Sequence, residues 1–385
     1  MEHRIFNGRP QSSLSFLDIA NGVVKTDIWQ ELEAGLWSSF LFDNYLHNND
    51  IGEVEQWKWR PLFPNIKVIN PGFRWDKSLD EIVPDVYKPQ RCEATFETFL
   101  ESAEKYFKQF EGKKIGVHLS GGLDSSLIIC LLRHFNIPFV AIGLCSYRFE
   151  FRTERRVQYV MADYADEALL LDMDQYPFYA NLDKKPKHQV PDSNIKMCDA
   201  SMALAREFAK KGCQVVLSGQ GGDTLLAEAV KDITDFDGYN IGNEFTLPWE
   251  QDFVYTPLGI ELYSFFADKG IIDQISSLRI SEPVDPTKKW ARRFFKDLLP
   301  LELSEFTYSS DYFGHSSDGL DKAKPEFKLL FEEAYDILRN PMFSPLGIKG
   351  ILSKDVLSLE YKEYCEFCSK LSIAVWIHSL FRKDD

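Results

Sequence analysis

Gly116-Val117-His118-Leu119-Ser120-Gly121-Gly122-Leu123-Asp124-Ser125-Ser126-Leu127 joins an apolar strand, Lys114 to Leu119, to an apolar helix, Ser126 to His134. The connecting turn is made of Ser, Gly, Gly and Asp. It aims backbone N–H groups and hydroxyls at one point beside the positive end of a helix, and such a point attracts phosphate. Asp124 is acidic in a place built for anions, which makes sense if it holds a cation that travels with the phosphate. The pattern points to a magnesium–nucleotide site. It is neither the G-x-x-x-x-G-K-[ST] phosphate loop nor the G-x-G-x-x-G dinucleotide turn. Read more plainly, the same residues are an N-capped helix after a strand.

Val215-Val216-Leu217-Ser218-Gly219-Gln220-Gly221-Gly222-Asp223-Thr224-Leu225 repeats the design. An apolar strand again runs into Ser-Gly, small residues and an Asp. Ligands of open parallel sheets sit at the carboxyl ends of the strands, so two such strands can aim two loops at one ligand. Asp124 and Asp223 then form a carboxylate pair, a natural site for Mg²⁺ with phosphate oxygens. The plainer alternative for Asp223 is a cap on a helix starting at Thr224.

Between and around these loops, short apolar strands alternate with helices. The strands are Ile115 to Leu119, Phe139 to Leu144, Ala168 to Leu171 and Gln214 to Leu217; the helices are Cys92 to Phe110, Ser126 to His134, Glu154 to Asp163 and Ser201 to Lys211. Continuous apolar strands alternating with helices predict an α/β fold with a doubly wound parallel sheet. Beyond about residue 250 the chain reads as mostly helical. Residues 1–90 read as a small domain rich in Trp and Phe, with a helix from Thr26 to His47 and a strand Ile66 to Ile69 ended by Asn70-Pro71-Gly72. The charged, Pro-containing stretch from Lys77 to Lys88 reads as the linker to a second domain over 91–385.

The 385 residues carry a formal net charge of -15, which argues against a nucleic-acid partner, although Arg152, Arg155 and Arg156 form a local basic cluster. Seven cysteines are scattered, several in apolar surroundings, as in a reducing compartment. Cys365-x-x-Cys368 lacks a second pair and reads as core packing. No run resembles a signal peptide or approaches a membrane span, so the expectation is a soluble, cytoplasmic protein.

Ser-Gly-Gly-Leu-Asp-Ser-Ser at 120–126 and Val-Val-Leu-Ser-Gly-x-Gly-x-Asp at 215–223 together resemble the synthetase domain of the asparagine synthetase family. That family belongs to the N-type ATP pyrophosphatases and includes β-lactam synthetases and lasso-peptide cyclases. Asn65 to Gly72 resembles the segment closing the family's glutaminase domain. Tyr255-Thr256-Pro257-Leu258 with Glu261-Leu262 resembles a helical-region motif, Lys288 to Pro300 the run before the catalytic lysine segment, and Ala374 to Phe381 the C-terminal helix.

The resemblance implies ATP and Mg²⁺ as cofactors, and a HUP-like ATP-pyrophosphatase fold. A small-molecule or peptide carboxylate is adenylated with loss of pyrophosphate, and an amine nucleophile then displaces AMP to give an amide. By family position Ser120, Gly122, Asp124, Ser125 and Ser126 hold pyrophosphate and metal. Gly219 approaches the nucleotide, Asp223 completes the metal site, and Leu119 with the strand around Gly143 lines the adenosine pocket.

Three departures qualify this. Glu2 follows Met1 and the N-terminal region is short, so glutamine hydrolysis is not expected; the resemblance is to a synthetase without an intact glutaminase domain, as in natural-product biosynthesis. Gln220 stands where relatives carry an acid or a tyrosine; it orients a nucleophile but is no general base. No lysine lies between Lys296 and Lys322, and Tyr308 stands near the expected catalytic lysine. Tyr308 therefore joins Asp124, Asp223 and Gln220 in the candidate catalytic set, with Lys288, Lys289, Arg292, Arg293 and Lys296 as substitute cations. Two alternatives stay open: adenylation with a non-amine acceptor, and a non-catalytic nucleotide- or partner-binding protein. A pathway protein or a second copy of the chain is left open as a further partner. His118 reads as a packed core residue, Glu154 as a helix-start acid, and His315 as a substrate-contact candidate.

Overall fold

In the computed structural model, residues 15–18, 20–25, 66–69, 73–84, 89–185, 196–227, 250–279, 285, 287–304, 313–338 and 361–381 are described. The first strands are β1 (Ser15–Asp18), β2 (Val23–Lys25) and β3 (Ile66–Ile69), an antiparallel sheet in the order β2-β1-β3. A hairpin of β4 (Phe73–Asp76) and β5 (Glu81–Pro84) follows. Helix α1 (Phe96–Lys108) opens on a capping box in which Thr95 and Thr98 satisfy each other's backbone N–H.

The central unit then alternates strand and helix. It runs β6 (Ile115–His118), α2 (Leu123–His134), β7 (Phe139–Cys145), α3 (Arg152–Ala162), β8 (Glu167–Asp172), α4 (Cys198–Lys210), β9 (Val215–Ser218) and α5 (Gly222–Ala227). After a π turn over Glu250–Tyr255 come β10 (Glu261–Ser264), α6 (Lys269–Leu278), α7 (Lys289–Phe294) and α8 (Leu301–Ser304). Two long helices close the described chain, α9 (Phe313–Leu338) and α10 (Tyr361–Phe381).

Five strands form one sheet in the order β10-β9-β6-β7-β8, every neighbouring pair parallel. The chain moves from β6 outward to β7 and β8, then returns to β9 on the other side of β6. The order therefore reverses between β6 and β9, and the crevice opens outside their carboxyl ends. Val117, Val215, Val216 and Leu217 are completely or almost completely buried, as expected of strands covered on both faces. The aromatic load packs α1 against the far edge: Phe107 stacks on Phe265 at 5.7 Å and Tyr106 meets it edge-on at 5.2 Å. Helices α9 and α10 pack together through Phe327 and Phe367, 5.3 Å apart. No helix among the described residues is long and apolar enough to cross a membrane.

The doubly wound α/β reading is thus the observed architecture, with three local corrections. Glu261-Leu262, read as part of a helical region, lies in the fifth strand, because a buried parallel edge on β9 accepts it. Asp124 and Ser125, read as turn, belong to the first turn of α2, which starts at Leu123 rather than Ser126, since Gly122 takes the N-cap position. Residues 77–84, read as linker, form the turn and second strand of the β4–β5 hairpin: the Asp76 carboxylate accepts from the Ser78 N–H and hydroxyl and closes the turn. The expected helix from Thr26 to His47 lies outside the described residues.

Candidate active site

The loops after β6 and β9 meet at the crevice. In each, one glycine takes a left-handed conformation, Gly121 at φ +82° and Gly221 at φ +83°, where a side chain would be strained. The loops also touch. A Cβ on Gly219 would lie 2.7 Å from the Ser125 nitrogen, and one on Gly222 would lie 2.4 Å from the Asp124 carboxyl carbon. Glycine at both positions is what lets the second loop lie against the first turn of α2.

That first turn is arranged for an anion. Gly122 provides no side-chain cap, leaving the N–H groups at the helix start without one. The Ser120 and Ser125 hydroxyls are 2.6 Å apart. The Ser126 hydroxyl is completely buried and finds no hydrogen-bond partner among the described residues. A buried orphan hydroxyl beside an open helix N-terminus fits a phosphate oxygen.

Between the loops lies a cation. Lys288 Nζ is 2.7 Å from each Asp124 oxygen and 2.5 Å from Asp223 Oδ1. The backbone of Lys288 is itself left-handed, φ +56° and ψ +38°, a conformation disfavoured for a side-chain-bearing residue. A turn anchored by Asp285 holds it: one Asp285 oxygen accepts from the Thr287 N–H and hydroxyl, the other from the Lys289 N–H. Burial raises the Asp124 carboxyl above the ordinary aspartate value, opposed by the Lys288 charge and assisted by Asp223. Burial also works against the Lys288 ammonium, but the two carboxylates outweigh it and raise its pKa. The second loop is held from behind, where Trp290 Nε1 donates to Leu226 O at 2.6 Å and the buried Arg279 donates to Leu225 O.

Two carboxylates that converge on one ammonium are a donor set suited to a hard cation, so Asp124 and Asp223 fit Mg²⁺ and the adjoining turn fits phosphate. Asp124, Asp223, Ser120, Gly122, Ser125, Ser126 and Gly219 are brought together here. Leu119 is fully buried, and a Cβ on Gly143 would come 1.9 Å from the Leu119 carbonyl oxygen; glycine there lets the exit of β6 lie on β7. The backbone of Gln220 is fixed by Ser218 and Ser264, whose hydroxyl donates to Gln220 O at 2.7 Å. Tyr308 lies outside the described residues.

Of the five substitute cations, Lys288 is the one at the carboxylates. Lys289, Arg293 and Lys296 are exposed, and Arg292 turns to the carbonyls of Thr287 and Leu303. His315 bonds the Ser146 hydroxyl at 2.8 Å and packs by Phe151, at the carboxyl end of β7. His118, at the end of β6, is half-buried, and its Nε2 meets the Tyr255 hydroxyl at 2.6 Å. Glu154 lies in the first turn of α3.

Residues 108–229 match the sequence model of the asparagine synthase family. The chain carries an asparagine synthase domain. The matched span contains both loops, β6 to β9 and the two aspartates; Lys288 comes to the asparagine synthase domain from outside it. No curated protein matches the chain. At the level of the family, the domain is that of an ATP-dependent, amide-forming synthetase.

Proposed function

We propose that the protein is an AMP- and pyrophosphate-forming amide-bond synthetase. The observation that carries this reading is the convergence of Asp124 and Asp223 on one cation, beside an open helix N-terminus with a buried orphan hydroxyl. A carboxylate oxygen attacks the α-phosphorus of ATP, the α–β anhydride bond breaks, and pyrophosphate leaves. An amine then attacks the acyl carbon, AMP leaves, and the amine loses a proton. Ser120, Ser125, Ser126 and the N–H groups in the first turn of α2, after Gly122, receive the departing phosphates, where donors aimed at developing charge have most effect. Lys288 is the cation assigned to that charge from the protein side. Bound Mg²⁺, held by Asp124 and Asp223, would supply Lewis-acid stabilisation of the phosphate oxygens.

The strand end around Leu119 and Gly143 is assigned to the adenosine. Gln220 and Tyr308 are assigned to the acceptor side, where orientation rather than base strength is available. The small N-terminal region 1–90 is treated as separate from the synthetase unit 91–385, and the carboxylate is that of a small molecule or peptide in specialised metabolism. A second reading, transfer of the activated acyl group to a non-amine acceptor, is favoured by the lack of a lysine between Lys296 and Lys322, where the resemblance expects the one that serves the amide-forming step. Incubation with MgATP and a panel of carboxylates tests the proposal. Substrate-dependent release of AMP and pyrophosphate is expected, abolished in Asp124→Asn; release of ADP would refute it. Product mass with and without added amines separates the two acceptors.

A further inference from the structure

Gln158, on α3, is 2 % exposed and belongs to neither loop. Its side-chain amide donates twice, to Leu119 O at 2.9 Å and to Leu144 O at 2.7 Å. These are carbonyls at the carboxyl ends of β6 and β7, where the parallel ladder stops: the last rung between the strands is Leu119 N to Ile142 O at 2.9 Å. Beyond it Leu119 turns into Ser120 and the strands part. An amide –NH₂ has two hydrogens at a fixed angle, so one Gln spans two acceptors that no sheet neighbour reaches.

The same helix supports the apex of the loop. The place a Cβ would take on Gly121 is 2.5 Å from Glu154 O and 3.1 Å from Gln158 Cγ. One turn earlier on α3, Arg155 donates to the carbonyls of Ser146 and Arg148 and ties down the chain leaving β7. The first loop therefore lies on α3, and Gln158 is the point where helix, β6 and β7 are joined.

We propose that Gln158 is a positioning residue for the phosphate loop. It fixes the direction in which the chain leaves β6, and with it the aim of the N–H groups and hydroxyls from Ser120 to Ser126. An apolar side chain of similar length would bury two carbonyls without donors and let the loop drift from its phosphate-binding geometry. The inference rests on the reading of this loop as a phosphate site, but its geometric part is separable from that reading.

Two measurements on the full chain test it. The first is amide hydrogen exchange without nucleotide, comparing wild type with Gln158→Leu and Gln158→Glu. Faster exchange is expected in the segments that begin at Leu119 and Leu144, with β6, β7 and α2 beyond its first turn still protected. Unchanged exchange there, or exchange accelerated across the whole sheet, overturns the proposal, the latter marking a merely structural role.

The second measurement is MgATP binding by calorimetry. Loss of one to two hydrogen bonds' worth of loop order should weaken Gln158→Leu roughly tenfold at pH 8. Gln158→Glu should be at least as weak at pH 8 and recover relative to wild type towards pH 5.5, where a buried carboxyl takes a proton and donates again; Gln158→Leu should not recover. Binding of Gln158→Leu within twofold of wild type, or parallel pH profiles for the two variants, overturns the proposal. If wild type itself fails to bind MgATP, the phosphate-site reading fails and the functional part of the inference falls with it, while the exchange result still decides the geometry.

Discussion

Lys288→Met removes the ammonium and keeps most of the side-chain stem. The two carboxylates it serves are very different: the Asp124 side chain is 16 % exposed and that of Asp223 is 87 % exposed. The Asp223 arm is close to a surface ion pair, worth less than about 1 kcal/mol. The Asp124 arm is not. Removing one partner of a buried pair leaves an uncompensated charge, which costs on the order of 3–5 kcal/mol. Residual solvent contact at Asp124 places the expected loss near the lower end, about 3 kcal/mol, or roughly 6 °C in melting temperature. Urea unfolding in EDTA at pH 8 measures it. In an Asp124→Asn background the same substitution should lose less than about 1 kcal/mol, because the charge it strands is gone. Millimolar Mg²⁺ should restore part of the stability of Lys288→Met by replacing one cation with another, and do less for wild type. A loss under about 0.5 kcal/mol, or an equal loss in both backgrounds, would refute the reasoning.

Asp223→Asn should leave the melting temperature almost unchanged, since its pair is solvent-exposed, yet abolish carboxylate-dependent pyrophosphate release; retention of full activity would remove Asp223 from the metal site. Gly219→Ala inserts a methyl 2.7 Å from the Ser125 nitrogen and should weaken MgATP binding by at least about tenfold by parting the loops, at a stability cost of about 1–3 kcal/mol, measured by calorimetry and melting. His118 has its pKa lowered to about 4 by burial. The unfolded chain then binds more protons than the native one between pH 6.5 and 4, so stability is fully present above pH 6.5 and declines as pH falls through that window. The loss is about 3 kcal/mol. His118→Gln should flatten that part of the pH–stability curve, and an unchanged slope would show that His118 does not carry it.

Much of the fold was legible in the chain because it is written locally. A run such as Val215-Val216-Leu217 has no polar face, and Ser-Gly-Gly-x-Asp ends a strand and offers caps to the helix that follows. What escaped was either marginal locally or non-local. Glu261 to Ser264 is too short to declare itself, and becomes a strand because β9 offers a ladder to pair with. The β4–β5 hairpin was hidden by its charged, Pro-containing composition, although Asp76 and Ser78 close its turn with local hydrogen bonds. Gln158 gave no signal at all: one polar residue in an amphipathic helix reads as surface until its two acceptors are seen.

The sequence alone determined that two glycine-rich turns follow two buried strands, each carrying an aspartate, because turn chemistry and apolar runs depend only on neighbouring residues. Only the tertiary structure decided that the turns touch through Gly219 and Gly222, and that Lys288, 164 residues from Asp124, reaches both acids while four nearby cations do not. The reason is one of distance. Strand order places β9 beside β6, and the Asp285 turn sets the left-handed backbone of Lys288; convergence of charges from separate segments is a property of that packing and has no local trace.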